Sequence, residues 1–251
     1  MKNKIIAIVV ILLIYPLAAM ASEITVVGAA NVQFTLDELK AEFTKETGID
    51  VKTVIGSSGK LSAQIENGAP FDVFLSADMK YPSKLYTEGF SLRSPKVYAK
   101  GTLILWTMKN FDLRKGINIL SDPKIQKIAI ANPDLAPYGR QAINALKYYK
   151  LYEPLQKELV TAESISQANE FISTGAADIG FTAKSVVLAP SMKDKGQWIE
   201  VDSKAYEPIA QGVIVLKYGD DHHSKEAHEF YDFLFSVPAK EIFKKYGYQL
   251  P

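Results

Sequence analysis

The chain has 251 residues, 47% hydrophobic and 23% charged, with 29 Lys and Arg against 28 Asp and Glu. Near-zero net charge excludes a protein that works through a basic nucleic-acid or membrane-surface patch, and the ordinary apolar content excludes disorder. The chain has no Cys, which excludes disulfides, thiolate metal sites, iron–sulfur clusters and cysteine nucleophiles.

Lys2 and Lys4 precede an apolar run over residues 5–18, and the small-x-small triplet Ala19-Met20-Ala21 ends it. These three parts predict a secretory signal peptide over residues 1–21, cleaved after Ala21. A membrane span takes about 20 apolar residues, more than this run supplies, and Pro16 interrupts it. No Cys follows the cleavage point to carry a lipid. The expectation is a soluble periplasmic protein with no membrane anchor.

Beyond the signal, short apolar runs alternate with helical patterns. Residues 24–27 read as a strand, followed by a helix over 32–47 with Leu36, Leu39 and Phe43 on one face. Residues 51–55 form a second strand, leading through Gly56-Ser57-Ser58-Gly59 into a helix over 60–67. Strands follow at 72–75, 103–106, 127–131, 159–162 and 179–182, with helices over 140–150 and 165–174. An apolar strand at 212–216 precedes two last helices, 224–235 and 238–246. Strand-then-helix repetition predicts an α/β fold. The number of βα units is high for one sheet, and no flexible linker marks a boundary. Two lobes joined by crossing strands near 101–108 and 206–215 explain both observations.

Tempting motifs fail on inspection. Gly56-Ser57-Ser58-Gly59-Lys60 lacks the P-loop's first glycine, because Val54 stands there, and its hydroxyl, because Leu61 follows the lysine. It also lacks the second glycine of a nucleophile elbow. The histidines are His222, His223 and His228, which read as a solvated helix end rather than a metal site or triad. No nucleophile–base pair emerges.

The helix starts are more informative. Ala29-Ala30-Asn31, Gly56-Ser57-Ser58-Gly59, Pro137-Tyr138-Gly139 and the capping-box sequence Ser164-Ile165-Ser166-Gln167 each stand where a strand gives way to a helix. A helix start carries unpaired N–H groups and the positive end of a dipole. Several aimed at one cleft make an anion site built from neutral donors.

Ala29-Ala30-Asn31, the run from Ile55 to Leu61, Gln64 to Pro70, and Asp72-Val73-Phe74-Leu75-Ser76-Ala77-Asp78 together carry a resemblance. So do Ala131-Asn132-Pro133, Ala136-Pro137-Tyr138-Gly139 and the tail from Glu241 to Tyr248. In these segments the chain resembles the periplasmic molybdate-binding proteins of molybdate ABC importers, over essentially its whole length beyond the signal. The resemblance implies a type II periplasmic-binding-protein fold, with two lobes, each a mixed, mostly parallel sheet flanked by helices. Residues 22–102 would form the first lobe, 103–207 the second, and 208–251 return to the first.

Carried over by motif, the oxyanion contacts would be Ala30, Asn31, Ser58, Tyr138 and Ile165. Asn31 and Ser58 would offer side-chain and backbone donors, and Tyr138 and Ile165 mainly backbone N–H groups. Many members have Tyr where Ala183 stands, so one hydroxyl of the family is missing here. None of the mapped residues is acidic, which suits an unprotonated tetrahedral dianion and disfavours phosphate. Asp72 and Asp78 are read as structural, and Lys60 and Arg140 as solvated helix-surface cations. A hydrogen bond to a charged partner contributes about 1.5–3 kcal/mol and micromolar binding needs about 8 kcal/mol, so five or six donors suffice without a cation.

The resulting expectation is a non-enzymatic receptor for molybdate, and also tungstate. It would need no cofactor and no protein-bound metal cation, act as a monomer, and deliver its ligand to a membrane permease. The alternatives are a receptor for sulfate or another oxyanion, and a secreted enzyme on the same fold.

Overall fold

The computed structural model describes residues 22–251; the predicted signal peptide, residues 1–21, lies outside the described residues. The chain begins with β1 (Glu23–Ala29), α1 (Gln33–Thr47), β2 (Asp50–Gly56), α2 (Ser58–Glu66), β3 (Val73–Leu75), α3 (Lys80–Thr87) and β4 (Lys96–Gly101). Next come β5 (Leu103–Thr107), β6 (Ile128–Ala131), α4 (Pro137–Tyr148), β7 (Leu159–Ala162), α5 (Ile165–Ser173), β8 (Ile179–Ala183), α6 (Lys184–Val187) and β9 (Gln197–Glu200). The last elements are β10 (Ile209–Val215), α7 (Lys217–His222), α8 (Ser224–Phe233) and α9 (Val237–Lys245).

The strands form two five-stranded sheets, ordered β2-β1-β3-β10-β4 and β7-β6-β8-β5-β9. Each sheet is mixed. The β1–β2, β1–β3, β6–β7 and β6–β8 pairs are parallel. Pairs involving β10 and β5 are antiparallel, because these strands enter each sheet from the other lobe. Strand–helix alternation announces the parallel half of a sheet and says nothing of this second half.

Both faces of each sheet are covered, which explains the near-continuous apolar strands. On β1, Ile24 and Val26 pack with Leu36, Leu39 and Phe43 of α1 and with Phe230 and Phe243 of α8 and α9. Val27 points the other way, onto Leu61 and Ile65 of α2 and Leu85 of α3. In the second lobe, Leu103 and Leu105 face Ala142 and Leu146 of α4. Ile104 and Trp106 face Ala168 and Ile172 of α5. Each fully buried Val, Leu, Ile or Phe among these contributes about 1.5–3 kcal/mol, so the two sheets are stiff platforms for the loops between them.

The sheets are joined twice. Only Thr102 separates the end of β4 from the start of β5, and residues 201–208 lead from β9 back to β10. Ala29, Ala30 and Ala77 of the first lobe belong to the same apolar cluster as Ala136 and Tyr138 of the second, so the lobes are closed on each other. No helix among the described residues is long and apolar enough to cross a membrane.

Candidate functional site

Five segments meet between the lobes, all at carboxyl ends of strands. After β1 a 3-10 turn, Ala30–Val32, carries Ala30 and Asn31. After β2, Ser57 and Ser58 open α2, and Ala77 follows β3. From the second lobe, Ala136, Pro137 and Tyr138 open α4 after β6, and Ile165 opens α5 after β7. Because β1 lies between β2 and β3, and β6 between β7 and β8, the loops diverge at these points and leave a crevice, the usual ligand position in such sheets.

The crevice is a small cavity of about 10 Å³, lined by Ala30, Asn31, Ser58, Tyr138 and Ile165 together with Ala29, Ser57, Ala77, Ala136 and Pro137. All five residues singled out from the sequence are therefore brought together. Pockets for drug-sized ligands run to roughly 300–1,000 Å³, so this one is far too small for such a ligand. Its lining holds no Asp, Glu, His, Lys or Arg.

What the lining offers is hydrogen-bond donors. Ser58, Tyr138 and Ile165 occupy the first turns of α2, α4 and α5, where no backbone carbonyl within the helix reaches the N–H groups. Gly139 lets α4 start this close to its strand, since a Cβ there would lie 2.0 Å from the Ala131 carbonyl oxygen. Pro137 at the first position of α4 fits the helix and sacrifices an N–H that has no partner there anyway. The Ser58 hydroxyl accepts from the Ala77 N–H at 3.0 Å, which holds its oxygen and leaves its own proton to give.

The Asn31 side chain is placed differently from the expectation. Its amide nitrogen donates to Gln211 Oε1 at 3.0 Å and to the Tyr248 hydroxyl at 3.2 Å. Both amide protons are thus committed, and Asn31 keeps only its backbone N–H for the cavity. Tyr138 likewise turns its hydroxyl away, accepting from Gln211 Nε2 at 3.2 Å. Gln211 Oε1 also accepts from the Tyr98 hydroxyl at 2.6 Å. This buried network fixes the loops of both lobes. Burial pushes the hydroxyls of Tyr98, Tyr138 and Tyr248 up from the usual tyrosine value, so they remain protonated.

Direct bonds close the lobes around the cavity. Asp78 and Arg140, from opposite lobes, pair at 2.6 Å, and Lys60 pairs with Glu163 across the cleft. Both cations, read from sequence as solvated, are interlobe partners, Arg140 partly buried and Lys60 still half exposed. Neighbouring charges give no such signal, because each partner is distant in the chain. The Tyr81 hydroxyl donates to the Asp134 carbonyl at 2.8 Å, the Gly59 N–H to the Leu135 carbonyl at 2.9 Å, and the Ser185 hydroxyl to the Asn31 carbonyl at 2.8 Å.

Residues outside the cleft take structural roles. Buried Asp72 accepts from the Thr25 N–H at 2.6 Å and meets His223 Nδ1 at 2.8 Å. His228 meets Asp220 at 2.7 Å and His222 stacks on Tyr218. Among the described residues no group of three or more His, Asp or Glu is placed to hold a metal ion. Sequence reasoning missed Gln211, Tyr98, Tyr248 and Ser185. An isolated Gln within an apolar strand was the one available signal, and its partner Asn31 lies 180 positions away.

The fold and crevice define a class: the chain belongs to the bacterial extracellular solute-binding proteins, whose family profile matches residues 24–249. The molybdate-binding protein ModA of Rhodobacter capsulatus is 41% identical over 234 residues, covering 92% of this chain and 90% of that protein. ModA of Azotobacter vinelandii is 38% identical over 234 residues, covering 93% and 92%. The solved structure of the Azotobacter vinelandii periplasmic molybdate-binding protein matches with a TM-score of 0.86 at 37% identity, over 91% of this chain and 99% of that one. Within the class, the chain is a member of the molybdate-binding protein family. The sulfate-binding protein SubI of Mycobacterium tuberculosis, 15% identical with a TM-score of 0.75, shares the fold.

Proposed function

We propose that this protein is a periplasmic receptor that captures molybdate between its lobes and delivers it to the permease of an ABC importer. The observation that carries the reading is the small interlobe cavity whose lining offers neutral donors and no charged side chain. A fully deprotonated tetrahedral dianion accepts at every oxygen and needs no acceptor from the protein. A protonated phosphate needs one, and a carboxylate in the lining would repel the dianion. Tungstate has the same charge and shape and is a ligand by the same argument. The reading is of a monomeric receptor without cofactor, and the cavity lining, which sets no nucleophile beside a base, gives catalysis no support.

Release runs through the two connections at Thr102 and residues 201–208, about which the lobes hinge open. The closed form, with its interlobe bonds made, is the form a permease would read. Calorimetric titration with molybdate, tungstate, sulfate and phosphate tests the reading. Molybdate and tungstate should bind at micromolar or tighter Kd, sulfate more weakly and phosphate not measurably. Ser58→Ala should weaken molybdate binding about 10- to 100-fold, the loss of one charge-assisted hydrogen bond. Tight sulfate binding with no molybdate binding would overturn the assignment in favour of a sulfate receptor.

A further inference from the structure

We infer that Ser57 is a further ligand-contacting residue of this site, its hydroxyl donating directly to the bound oxoanion. The inference rests on the oxyanion reading above and adds a donor that the family resemblance does not assign.

Ser57 is the N-cap residue of α2, in extended backbone conformation at φ −72° and ψ 148°. A serine there ordinarily accepts from an N–H of the first turn. Here its side chain makes no capping bond. The Gly59 N–H, a natural partner for such a cap, is turned across the cleft to the Leu135 carbonyl at 2.9 Å. Ser57 is only 2% exposed, yet its hydroxyl oxygen has no hydrogen-bond partner. The residue lines the cavity beside Ser58.

Buried hydroxyls are nearly always paired, and an unpaired one calls for a missing partner. The two adjacent serines divide the work. Ser58 Oγ is held by the Ala77 N–H and has one proton to give, whereas Ser57 Oγ is uncommitted as both donor and acceptor. An anion with lone pairs on every oxygen supplies the acceptor that Ser57 lacks. The closing lobe contributes indirectly, because the Leu135 carbonyl takes the N–H that would otherwise engage the cap.

The test is a calorimetric titration of wild-type protein and Ser57→Ala with sodium molybdate and with sodium sulfate, alongside thermal melting of both without ligand. On whichever anion binds the wild type, Ser57→Ala should lower affinity about 10- to 100-fold and leave the ligand-free Tm unchanged or raised. Wild-type affinity in Ser57→Ala overturns the inference, and so does an unchanged affinity accompanied by a lowered Tm, which would mark a capping role. Wild type that binds sulfate alone sinks the molybdate reading while Ser57 is still judged on sulfate. Wild type that binds neither anion overturns both.

Discussion

In the first lobe β1 lies between β2 and β3, and in the second β6 lies between β7 and β8, with one reversed strand, β10 or β5, next to the edge strand of each sheet. The loops that leave these matching strands meet at the cavity, but their chemistry differs. The first lobe brings hydroxyls, Ser57 and Ser58, together with the Asn31 turn. The second brings Ala136, Pro137, Tyr138 and Ile165, whose side chains are apolar or, for Tyr138, directed elsewhere. One lobe therefore offers the cavity side-chain and backbone donors, the other backbone donors alone. A shared topology sets where loops converge; it does not set which atoms of those loops meet the ligand. Backbone donors cannot rotate away and carry no charge to be desolvated, so under the proposed function the second lobe would close on the anion as a rigid jaw.

The largest expected effect comes from keeping the jaws apart. A Cβ at Gly59 would lie 2.7 Å from the Tyr81 hydroxyl and 3.0 Å from Leu135 Cα of the other lobe. Gly59→Ala should therefore leave each lobe folded by circular dichroism while small-angle scattering shows an open molecule. Molybdate affinity should fall about 100-fold, the loss expected when the closed form drops to one part in a hundred. A compact Gly59→Ala with unchanged affinity would mean that closure does not depend on this contact.

A smaller and differently directed effect is expected at Tyr138. Its hydroxyl serves Gln211 and not the cavity, so Tyr138→Phe leaves a buried amide N–H unpaired, at a cost of about 1–3 kcal/mol in stability. Molybdate affinity should stay within about threefold, well under the tenfold that 1.4 kcal/mol represents. A loss of affinity without a loss of stability would place the Tyr138 hydroxyl at the ligand and erase the contrast between the lobes.

The smallest effect is that of pH. No Asp, Glu, His, Lys or Arg lines the cavity and burial holds the lining Tyr138 protonated, so the molybdate binding constant should be flat between about pH 7 and 9, around and above the range where an unperturbed histidine titrates. Folding stability behaves differently at the alkaline end. Burial raises the tyrosine values of Tyr98, Tyr138 and Tyr248 in the fold. Their contribution is thus fully present below the ordinary tyrosine value of about 10 and is lost above it, where the unfolded chain releases protons first. Denaturant midpoints measured across that range should be level and then decline. A decline already near neutrality would point to other groups.

The parts of this architecture legible in the sequence are those written locally. Apolar runs gave the central strands, and the Ser-Ser, Pro-Tyr-Gly and Ser-Ile-Ser-Gln segments marked helix starts because capping and turn chemistry involve residues three or four apart. β4 and β9 escaped notice, since they are half-polar edge strands: exposed Lys96 and Lys100 flank buried Tyr98 and Ala99 in β4, and exposed Gln197 and Glu200 end β9. α3 was hidden by Pro82 within its first turn. The interlobe pairs and the Gln211 network were illegible for a different reason. Each joins residues from 53 to 217 positions apart in the chain, and only the closed arrangement shows them. The direction of the Asn31 amide and the idleness of the Ser57 hydroxyl belong to the same kind of fact.

The contrast between the lobes is tested most directly at Ile165, the first residue of α5. Proline is tolerated at that helix position, and the preceding Ser164 is extended at φ −147° and ψ 172°, as a residue before proline should be. Ile165→Pro therefore removes one backbone N–H, while Ile165→Ala trims the side chain and keeps it. Calorimetric titration of both with molybdate should show Ile165→Ala close to wild type and Ile165→Pro about 10- to 100-fold weaker. Equal affinities in the two variants would contradict a second lobe that binds through its backbone.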